Sequence, residues 1–254
     1  MNKENFGLSA VICVCNEEKQ LAECLAGLSF ADEIVVVLDK CTDKSHEIAA
    51  RYTNILIEGD WSIEGERRNV AIENCSGKWI LEIDADERVP LGLASEIQTI
   101  VKTSAFDWHA IPVANYIGTK LVRYGWGASF GKNQYPGLFR KGSKMWGLQR
   151  VHPAIEFIGT EGPILKNSID HFVDRNISDM IKRLDSYSTA RAKDIRENGD
   201  GGSFVRNVRR IFTRFWKCYV SRKGYREGSY GFLIAILASL YPLLSYLKAT
   251  LEEH

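Results

Sequence analysis

The stretch that decides the fold is Lys78-Trp-Ile-Leu-Glu-Ile-Asp-Ala-Asp-Glu-Arg-Val-Pro90, in which an apolar run ends at two aspartates separated by one alanine. The run from Trp79 to Ile83 predicts a largely buried strand, so Asp84 and Asp86 would lie where that strand leaves the sheet. In open α/β sheets this is the usual place for ligand-binding residues. Two carboxylates there predict a site for a hard cation such as Mg²⁺ or Mn²⁺. The alternative is an ordinary polar junction between a strand and a loop.

The residues around this stretch predict an α/β fold with a mostly parallel sheet. Short apolar runs alternate with helical patterns, which is typical of βα units. Predicted strands cover residues 8–15, 34–38, 55–57 and 79–83, and predicted helices cover 18–28, 43–52, 65–75 and a segment from Pro90 to about residue 101. Pro90 suits the first turn of that last helix.

Polar residues follow three of these strands. The first strand ends at Asn16 and Glu17, the second at Asp39, and the fourth at the two aspartates. Because the carboxyl ends of parallel strands meet at one edge of a sheet, we expect these side chains to face a common crevice. Carboxylates brought together would repel one another unless a cation or a donor-rich ligand binds them. The alternative is that the loops diverge and each carboxylate is solvated or caps a helix, the role that we favour for Asp43.

The character of the sequence changes after residue 105. Residues 108–171 are rich in glycine and aromatic residues and predict β-hairpins and loops, whose rings could form a platform for a sugar or a lipid-linked acceptor. Ordinary core packing of these rings is the alternative. An amphipathic helix is predicted over residues 177–196 and ends at Asn198-Gly-Asp-Gly-Gly202. We therefore divide the chain into residues 1–105, 106–200 and 201–254.

The last region predicts contact with a membrane. Between Ser203 and Arg226 there are eight basic residues and no acidic ones. A helical wheel separates an apolar face from a cationic face: Phe204, Val208, Ile211, Phe215 and Tyr219 against Arg206, Arg210, Arg214 and Lys217. This pattern is typical of an amphipathic helix lying on anionic lipid. The alternatives are a protein-packed hairpin whose basic side faces water, or contact with a highly charged acceptor such as a phosphorylated glycolipid.

The uncharged segment 229–247 follows and is barely long enough to cross a bilayer. Its Pro242, serines and tyrosines favour a helix that lies on the membrane or packs against protein over a true span.

Composition limits the class of protein. The chain has 254 residues, of which 45% are apolar and 26% charged, as expected for one large or two small globular domains. The formal charge of +1 gives no support for a nucleic-acid partner. Six cysteines without a Cys-x-x-Cys pair predict reduced thiols in the cytosol. The first residues lack a basic segment followed by an apolar one, so no signal peptide is expected.

Four motifs occur in order along the chain: Ala10-Val-Ile-Cys-Val-Cys-Asn-Glu-Glu18, Ala31-Asp-Glu-Ile-Val-Val-Val-Leu-Asp39, Gly65-Glu-Arg-Arg-Asn69 after Trp61, and Leu81-Glu-Ile-Asp-Ala-Asp-Glu87. Shorter matches at Gly137-Leu-Phe-Arg140 and Ile169-Asp-His171 extend the pattern. Together they resemble the family 2 glycosyltransferases, and within them the small bacterial enzymes of lipopolysaccharide core assembly. The resemblance covers nearly the whole chain. It implies a GT-A (Rossmann-like) fold with an acceptor-side β/loop subdomain, to which this chain adds C-terminal amphipathic helices.

The resemblance also implies roles for residues that would bind the nucleotide-sugar donor. Glu17 and Asp39 would accept hydrogen bonds from the base and the ribose, beside Asn16 at the end of the same strand as Glu17. Arg68 would approach the diphosphate, and Asp84 would face the ribose or the water shell of the metal.

Two residues are implied as contacts of the divalent cation. Asp86 would ligate Mg²⁺ or Mn²⁺, which stabilises the charge that grows on the departing diphosphate. His171 would be a further contact to the metal or a phosphate, although a histidine that is simply hydrogen-bonded at a strand end is the alternative.

The general base is the point at which the chain departs from the family pattern. An inverting transfer needs a base for the acceptor hydroxyl, and the subgroup has Val-His-Glu where this chain has Val151-His152-Pro153. We expect Glu156 to be the base, with His152 as the second candidate. The run Asp39-Lys-Cys-Thr-Asp43 also departs from the more usual Asp-Ser-x-Ser-x-Asp, which would alter how the donor is held.

The leading hypothesis is a metal-dependent inverting glycosyltransferase that moves a hexose or heptose from a nucleotide sugar to a membrane glycolipid, in lipopolysaccharide core or related glycan assembly. It would be a peripheral protein on the cytoplasmic face of the inner membrane. An aspartate-nucleophile phosphatase is one alternative. A degenerate, non-catalytic scaffold that binds nucleotide or glycolipid is another.

Overall fold

The computed structural model describes residues 7–127, 131–149 and 154–252. The chain forms two compact units, of which the first contains Met1–Val113 and Gln134–His171 and the second contains Ala114–Asn133 and Phe172–His254. The strands are β1 (Leu8–Val14), β2 (Glu33–Asp39), β3 (Ile55–Gly59), β4 (Trp79–Ile83), β5 (Glu87–Arg88), β6 (Trp108–Ile117), β7 (Lys120–Leu121), β8 (Gln134–Arg140), β9 (Lys144–Trp146), β10 (Ile155–Phe157) and β11 (Ile169–Asp174). The α-helices are α1 (Leu21–Ala26), α2 (Ser45–Ala49), α3 (Glu64–Glu73), α4 (Leu91–Thr103), α5 (Ile177–Asn198), α6 (Phe204–Trp216) and α7 (Ser229–Leu251).

The first unit is built on a sheet with the strand order β3-β2-β1-β4-β8-β6-β11-β5. The pairs among β3, β2, β1 and β4 are parallel, as predicted for this part of the chain. From β4 onward the pairs β4–β8, β8–β6 and β11–β5 are antiparallel. The predicted α/β architecture is thus confirmed, and its parallel part is confined to four strands. A separate antiparallel pair joins β9 to β10.

The central strands are buried on both faces, which explains their nearly continuous apolar sequences. On β4, Trp79, Leu81 and Ile83 pack into a core shared with α1 and α4, whereas Ile80 packs on the other face with residues of α3. Glu82 shares the face of Ile80 and is the one charged residue of this strand. A carboxylate at a fully buried strand position requires partners of opposite charge.

The second unit contains α5, α6 and α7 around a core of its own. α7 packs against both other helices, and its buried side includes Ile234, Ala235 and Ala238. α5 starts at Asn176, whose side chain accepts a hydrogen bond from the backbone N–H of Asp179 at 2.9 Å, and it ends at Gly199 with a φ of 70°. Glycine adopts this left-handed conformation without strain, so the Asn198-Gly signal predicted the end of the helix correctly.

The outward face of α6 differs from the predicted helical wheel. Phe215 and Tyr219 pack against the core of the second unit. Phe204 of the predicted apolar face is 52% exposed, and Val205, Phe212 and Trp216, which lie outside that face, are 75%, 71% and 62% exposed. The helical wheel takes no account of α7. That helix is strongly apolar, and the rings of Phe215 and Tyr219 cover part of its surface.

α7 is, within the part of the chain that the structure describes, the one helix long and apolar enough to cross a membrane. Of its most apolar window, 44% is buried inside the protein. α7 therefore contributes part of its apolar surface to the core of the second unit.

Candidate functional site

The candidate site lies at the point where the strand order of the parallel sheet reverses. β2 and β3 extend the sheet on one side of β1, and β4 lies on the other side. In open α/β sheets, ligands bind in the crevice beyond the carboxyl ends of the strands at such a switch point. The predicted residues Asn16, Glu17, Asp39, Asp84 and Asp86 all end or follow β1, β2 or β4 at this edge.

Asn16 ties the loops after β1 and β2 together. Its backbone has a φ of 57°, a left-handed conformation that asparagine tolerates better than most residues. Its side-chain oxygen accepts a hydrogen bond from the backbone N–H of Thr42 at 2.8 Å, and the N–H of Glu17 donates to the Ser45 hydroxyl at 2.9 Å. Asn16 therefore shapes the crevice through the backbone of its neighbours.

Asp43 supports the start of α2 from one residue before the N-cap position, which Lys44 occupies, so it is not the N-cap that the sequence favoured. Its carboxylate accepts hydrogen bonds from the backbone N–H groups of Ser45 and Glu18, each at 2.9 Å. Although burial opposes the shift, these bonds and the Ser45 side chain lower the pKa of Asp43.

Asp39, the last residue of β2, is held by Arg67. The Asp39 Oδ2 lies 2.8 Å from Arg67 Nη1, and its Oδ1 accepts a hydrogen bond from the backbone N–H of Trp61 at 3.1 Å. A carboxylate has about four acceptor sites, so these two bonds leave capacity for hydroxyl groups of a ligand. The position is thus compatible with the predicted contact to a ribose.

Arg68, the next residue of α3, binds three carboxylates. Its guanidinium lies 2.8 Å from Glu64, 2.6 Å from Glu82 and 3.1 Å from Asp84. It also stacks over the ring of Trp146, 4.8 Å from the ring centroid. A diphosphate that approached Arg68 would therefore have to share this guanidinium with the protein's own acids.

Two consecutive arginines thus compensate the acids at two strand ends. Arg67 pairs with Asp39 after β2, and Arg68 pairs with Asp84 after β4. The repulsion that the sequence predicted among these acidic clusters is relieved by protein cations at these two positions. Asp86 is the aspartate of the pair after β4 for which no arginine partner is recorded in the described ranges.

Glu82 joins α3 to β9 beneath the site. It lies 2.5 Å from the ammonium of Lys144 and accepts a hydrogen bond from Trp146 Nε1 at 3.3 Å, in addition to its pair with Arg68. Although burial would raise the pKa of the Glu82 carboxyl, Lys144 and Arg68 hold it below the usual value. The carboxylate is therefore charged at neutral pH and anchors both cations.

Two further contacts join α3 to β9 and to the residue that follows it, one through a side chain and one between backbones. The Asn69 side chain donates to the backbone oxygen of Trp146 at 2.8 Å and accepts from its N–H at 2.9 Å. At Gly65, an added Cβ would lie 2.0 Å from the carbonyl oxygen of Gly147. Only glycine fits at residue 65 with this spacing, which explains its place in the Gly65–Asn69 motif.

Asp86 and His171 form the second predicted pair at the site. The Asp86 Oδ2 lies 3.3 Å from His171 Nε2, and both side chains are mostly buried. The antiparallel pairing of β5 with β11, which places His171 opposite Glu87, brings the histidine to this position. The structure therefore brings together the two residues that the resemblance implied as metal contacts.

This pair fits a divalent cation that is completed by other ligands. Within residues 7–127, 131–149 and 154–252, no group of three or more His, Cys, Asp or Glu side chains could hold a metal ion. Mg²⁺ is commonly bound by one or two carboxylates together with substrate phosphates and water. Adjacent ligands about 2.1 Å from one ion lie roughly 3 Å apart, close to the observed 3.3 Å between these two atoms.

Of the two candidate bases, Glu156 and His152, the structure describes Glu156. Glu156 lies on β10, opposite Met145 of β9, and its side chain is exposed. Because side chains alternate between the faces of a strand, Glu156 shares the exposed face of Met145, whereas Lys144 and Trp146 reach Glu82 from the other face. His152 lies outside the described residues.

Only some of the residues that contact the predicted site residues could be identified from the sequence. Arg67 lies within the Gly65–Asn69 motif but has no role implied by the resemblance, and Glu82 is visible as a charged residue inside an apolar strand. The contribution of Lys144 and Trp146 depends on the contact of β9 with α3, which no local pattern indicates.

The chain is similar to several known glycosyltransferases. A family model described as glycosyl transferase family 2 matches residues 9–155. The lipopolysaccharide core biosynthesis glycosyltransferase LpsC of Rhizobium meliloti is 27% identical over 258 residues, covering 95% of this chain and 91% of that protein. An uncharacterized glycosyltransferase of Rickettsia felis is 24% identical over 260 residues, covering 95% and 88%. Among solved structures, residues 1–349 of S. aureus TarS superpose with a TM-score of 0.48 at 15% identity, covering 95% and 87%.

The fold class is therefore that of the GT-A glycosyltransferases, a mixed α/β sheet with acidic residues at the ends of its parallel strands. The chain belongs to glycosyl transferase family 2 and is a glycosyltransferase. This membership replaces the phosphatase alternative.

Proposed function

We propose that the protein is an inverting, metal-dependent glycosyltransferase that transfers a sugar from a nucleotide-sugar donor to a membrane glycolipid, in lipopolysaccharide core or related glycan assembly. Family membership supports the transfer reaction. The similarity to LpsC, a protein named for lipopolysaccharide core biosynthesis, supports the acceptor class.

One observation carries the metal dependence. Arg67 and Arg68 compensate Asp39 and Asp84, whereas Asp86 faces His171 with two donor atoms 3.3 Å apart. A pair of this kind can hold Mg²⁺ or Mn²⁺ once the donor diphosphate supplies further oxygen ligands. When bound, the cation acts as a Lewis acid that stabilises charge on the leaving diphosphate.

The other predicted residues at the carboxyl ends of the parallel strands would bind the nucleotide. Asp39 and Glu17 accept hydrogen bonds from the ribose and base, beside the loop that Asn16 holds in shape. Asp84 faces the ribose or the metal's water shell. Arg68 lies beside it and contributes positive charge toward the diphosphate.

In the transfer step, the oxygen of an acceptor hydroxyl forms a bond to the anomeric carbon while the bond from that carbon to the diphosphate oxygen breaks. The bonding electrons leave with the nucleoside diphosphate, and the hydroxyl proton passes to a base. We assign Glu156 as this base because it is the first carboxylate after Val151-His152-Pro153, and a movement of its segment would have to carry it inward from the exposed face that it shares with Met145. His152 is the second candidate.

The metal site is tested by measuring release of nucleoside diphosphate from nucleotide sugars, with and without Mn²⁺. We expect Asp86→Ala to lower metal-dependent release roughly a hundredfold or more, because the cation loses its carboxylate ligand. Glu47→Ala removes an exposed carboxylate on α2 and serves as the control that should retain wild-type rates.

Full activity in a chelator, or an Asp86→Ala variant as active as the control, would contradict the metal-dependent reaction. Donor binding with metal but no turnover with any lipid extract would instead support the non-catalytic scaffold.

The base is tested in the same assay with a lipid acceptor present. We expect Glu156→Gln to lower the transfer rate roughly 10²–10⁴-fold while donor affinity changes little, because a base acts on the acceptor proton. His152→Gln is the comparison variant. If it alone abolishes transfer, the assignment to Glu156 is wrong.

The proposal places the protein at the cytoplasmic face of the inner membrane as a peripheral protein. The exposed stripe of Val205, Phe212 and Trp216 on α6 is flanked by the exposed Arg206 and Arg209. Apolar side chains bordered by cations suit the boundary between the headgroups and acyl chains of anionic lipid.

A further inference from the structure

A small cavity in the second unit is lined by three cations and no acid. It has a volume of about 190 Å³ and is lined by Arg214, Lys217, Cys218, Arg222 and Ala238. None of these residues has a part in the transfer reaction proposed above. The cavity therefore needs an explanation of its own.

The positive charges at this cavity lack compensation by protein carboxylates. In the described ranges, no ion pair is recorded for Arg214, Lys217 or Arg222. Arg214 is half-buried, and its pKa is lowered by burial and by the neighbouring Arg210 and Arg222. Lys217 and Arg222 are exposed, so the cost of desolvation and of like-charge repulsion falls mainly on Arg214, and a bound anion would offset it.

The backbone holds these side chains in a specialised turn. α6 is followed by a π-helical turn at Lys217–Ser221, in which the backbone N–H of Arg222 donates to the carbonyl oxygen of Lys217 at 2.9 Å. The Arg222 guanidinium also donates to the carbonyl oxygen of Trp126. Single π-turns inside helices occur frequently at functional sites, and this one fixes the third cation beside the other two.

We propose that this cavity binds a phosphate group. Arg214 and Arg222 offer planar groups of N–H donors and Lys217 offers a compact charge, the combination that recognises phosphate oxygens in proteins. The phosphate could belong to a soluble compound or to a lipid headgroup. The position on α6 suits the second source as well, because Phe212 and Trp216 of the exposed stripe lie on the same helix.

The test compares the full-length protein with two charge-matched double variants. Arg214→Gln/Lys217→Gln removes two cations from the cavity, whereas Lys182→Gln/Lys193→Gln removes two exposed cations from α5. Binding of inorganic phosphate is measured by calorimetry. Flotation is measured with phosphatidylcholine vesicles that contain either phosphatidic acid or an equal charge of phosphatidylserine.

We expect the cavity variant to lose about tenfold or more in affinity for phosphate, and the α5 variant to stay within about twofold of the wild type. If the cavity variant alone loses affinity for inorganic phosphate, the cavity is a site for a free phosphate group. A cavity-dependent loss that is confined to phosphatidic acid vesicles identifies a lipid phosphate.

Absence of binding to both probes would overturn the proposal, as would equal losses in the two variants. A folding defect is separated by thermal unfolding in phosphate-free buffer. There the cavity variant should be at least as stable as the wild type, since it relieves repulsion, and a marked loss of stability would mean that the cations have a structural role instead. Failure of this proposal would leave the transfer reaction untouched.

Discussion

Glu82 shows how a single charged residue inside a buried strand can organise a site. It pairs with Lys144 and Arg68, and Arg68 in turn pairs with Asp84 at the strand end. Replacing a buried group of this kind with apolar residues can be neutral, but removing one partner leaves buried charge uncompensated. Glu82 is therefore a positioning residue, because it fixes the arginine that holds Asp84.

We expect Glu82→Gln to lower the free energy of unfolding at pH 7 by roughly 3 kcal/mol, because Lys144 loses its carboxylate. The pKa of Glu82 is depressed in the folded state. Its stabilisation is therefore fully present above the ordinary carboxyl pKa of about 4.3 and is lost as the pH falls through the folded-state value. The difference between wild type and variant, measured by urea unfolding, should be largest near pH 7 and shrink below about pH 4.

Glu64→Gln provides the matched control, since Glu64 is also a carboxylate partner of Arg68 but is substantially exposed. Exposed pairs contribute little, so this variant should lose less than about 1 kcal/mol. Equal losses at the two positions would contradict the special role of Glu82.

At the scale of elements, α3 contacts β9. This contact connects the carboxyl ends of the parallel strands, where the candidate site lies, to the strands that follow in the chain. Gly65 at the start of α3 and Gly147 just after β9 approach so closely that a side chain cannot be inserted between them. The two hydrogen bonds between Asn69 and Trp146 fix the same contact a turn further along α3. The placement of both arginines depends on this contact, because Arg67 and Arg68 lie between its two ends.

Gly65→Ala should cost roughly 1–3 kcal/mol of stability and weaken donor binding, because the new methyl group pushes α3 away from residue 147. Thermal unfolding and titration with nucleotide sugars measure the two effects. Gly27→Ala is the control, since a Cβ at Gly27 meets its nearest neighbour at 3.4 Å, an ordinary contact. That variant should stay within about 1 kcal/mol of the wild type. A neutral Gly65→Ala would show that the contact is not needed.

The sequence predicted the elements that depend on local patterns. β4 was predicted with its observed bounds of Trp79–Ile83, because an apolar run ended by charged residues is visible without any partner. The antiparallel half of the sheet was not predicted in detail, since the pairing of β8, β6 and β11 joins segments far apart in the chain. Likewise, the family resemblance implied Arg68 for the diphosphate but not its pairing with Glu82 and Asp84, which come from the end of a strand packed beside α3; Glu64, four residues earlier on the same helix, is a local partner.

At the scale of the whole molecule, the C-terminal helices combine a core function with an exposed surface. α7 supplies much of the core of the second unit, so deleting residues 203–254 would remove that core together with any membrane contact. Substitutions confined to the outward side of α6 separate the two functions.

We expect Phe212→Ser/Trp216→Ser to reduce flotation with anionic vesicles several-fold, because each buried aromatic side chain contributes roughly 1.5–3 kcal/mol of transfer free energy. The remaining binding should be more sensitive to salt, since only the screened attraction of the arginines is left. Leu91→Ser/Phe106→Ser removes exposed apolar side chains from the first unit and should float like the wild type. Unchanged flotation of the α6 variant would argue against this surface.

The pairing of β5 with β11 also has a consequence for the order of events on the ribosome. Asp86 emerges early in translation, with the parallel strands, whereas His171 follows only after all of β6 to β10 has been made. A nascent chain that has reached β5 therefore carries Asp86 before it carries the imidazole that faces this carboxylate. The contact between Asp86 and His171, and with it the proposed cation site, can form only after every strand of the first unit has been synthesised.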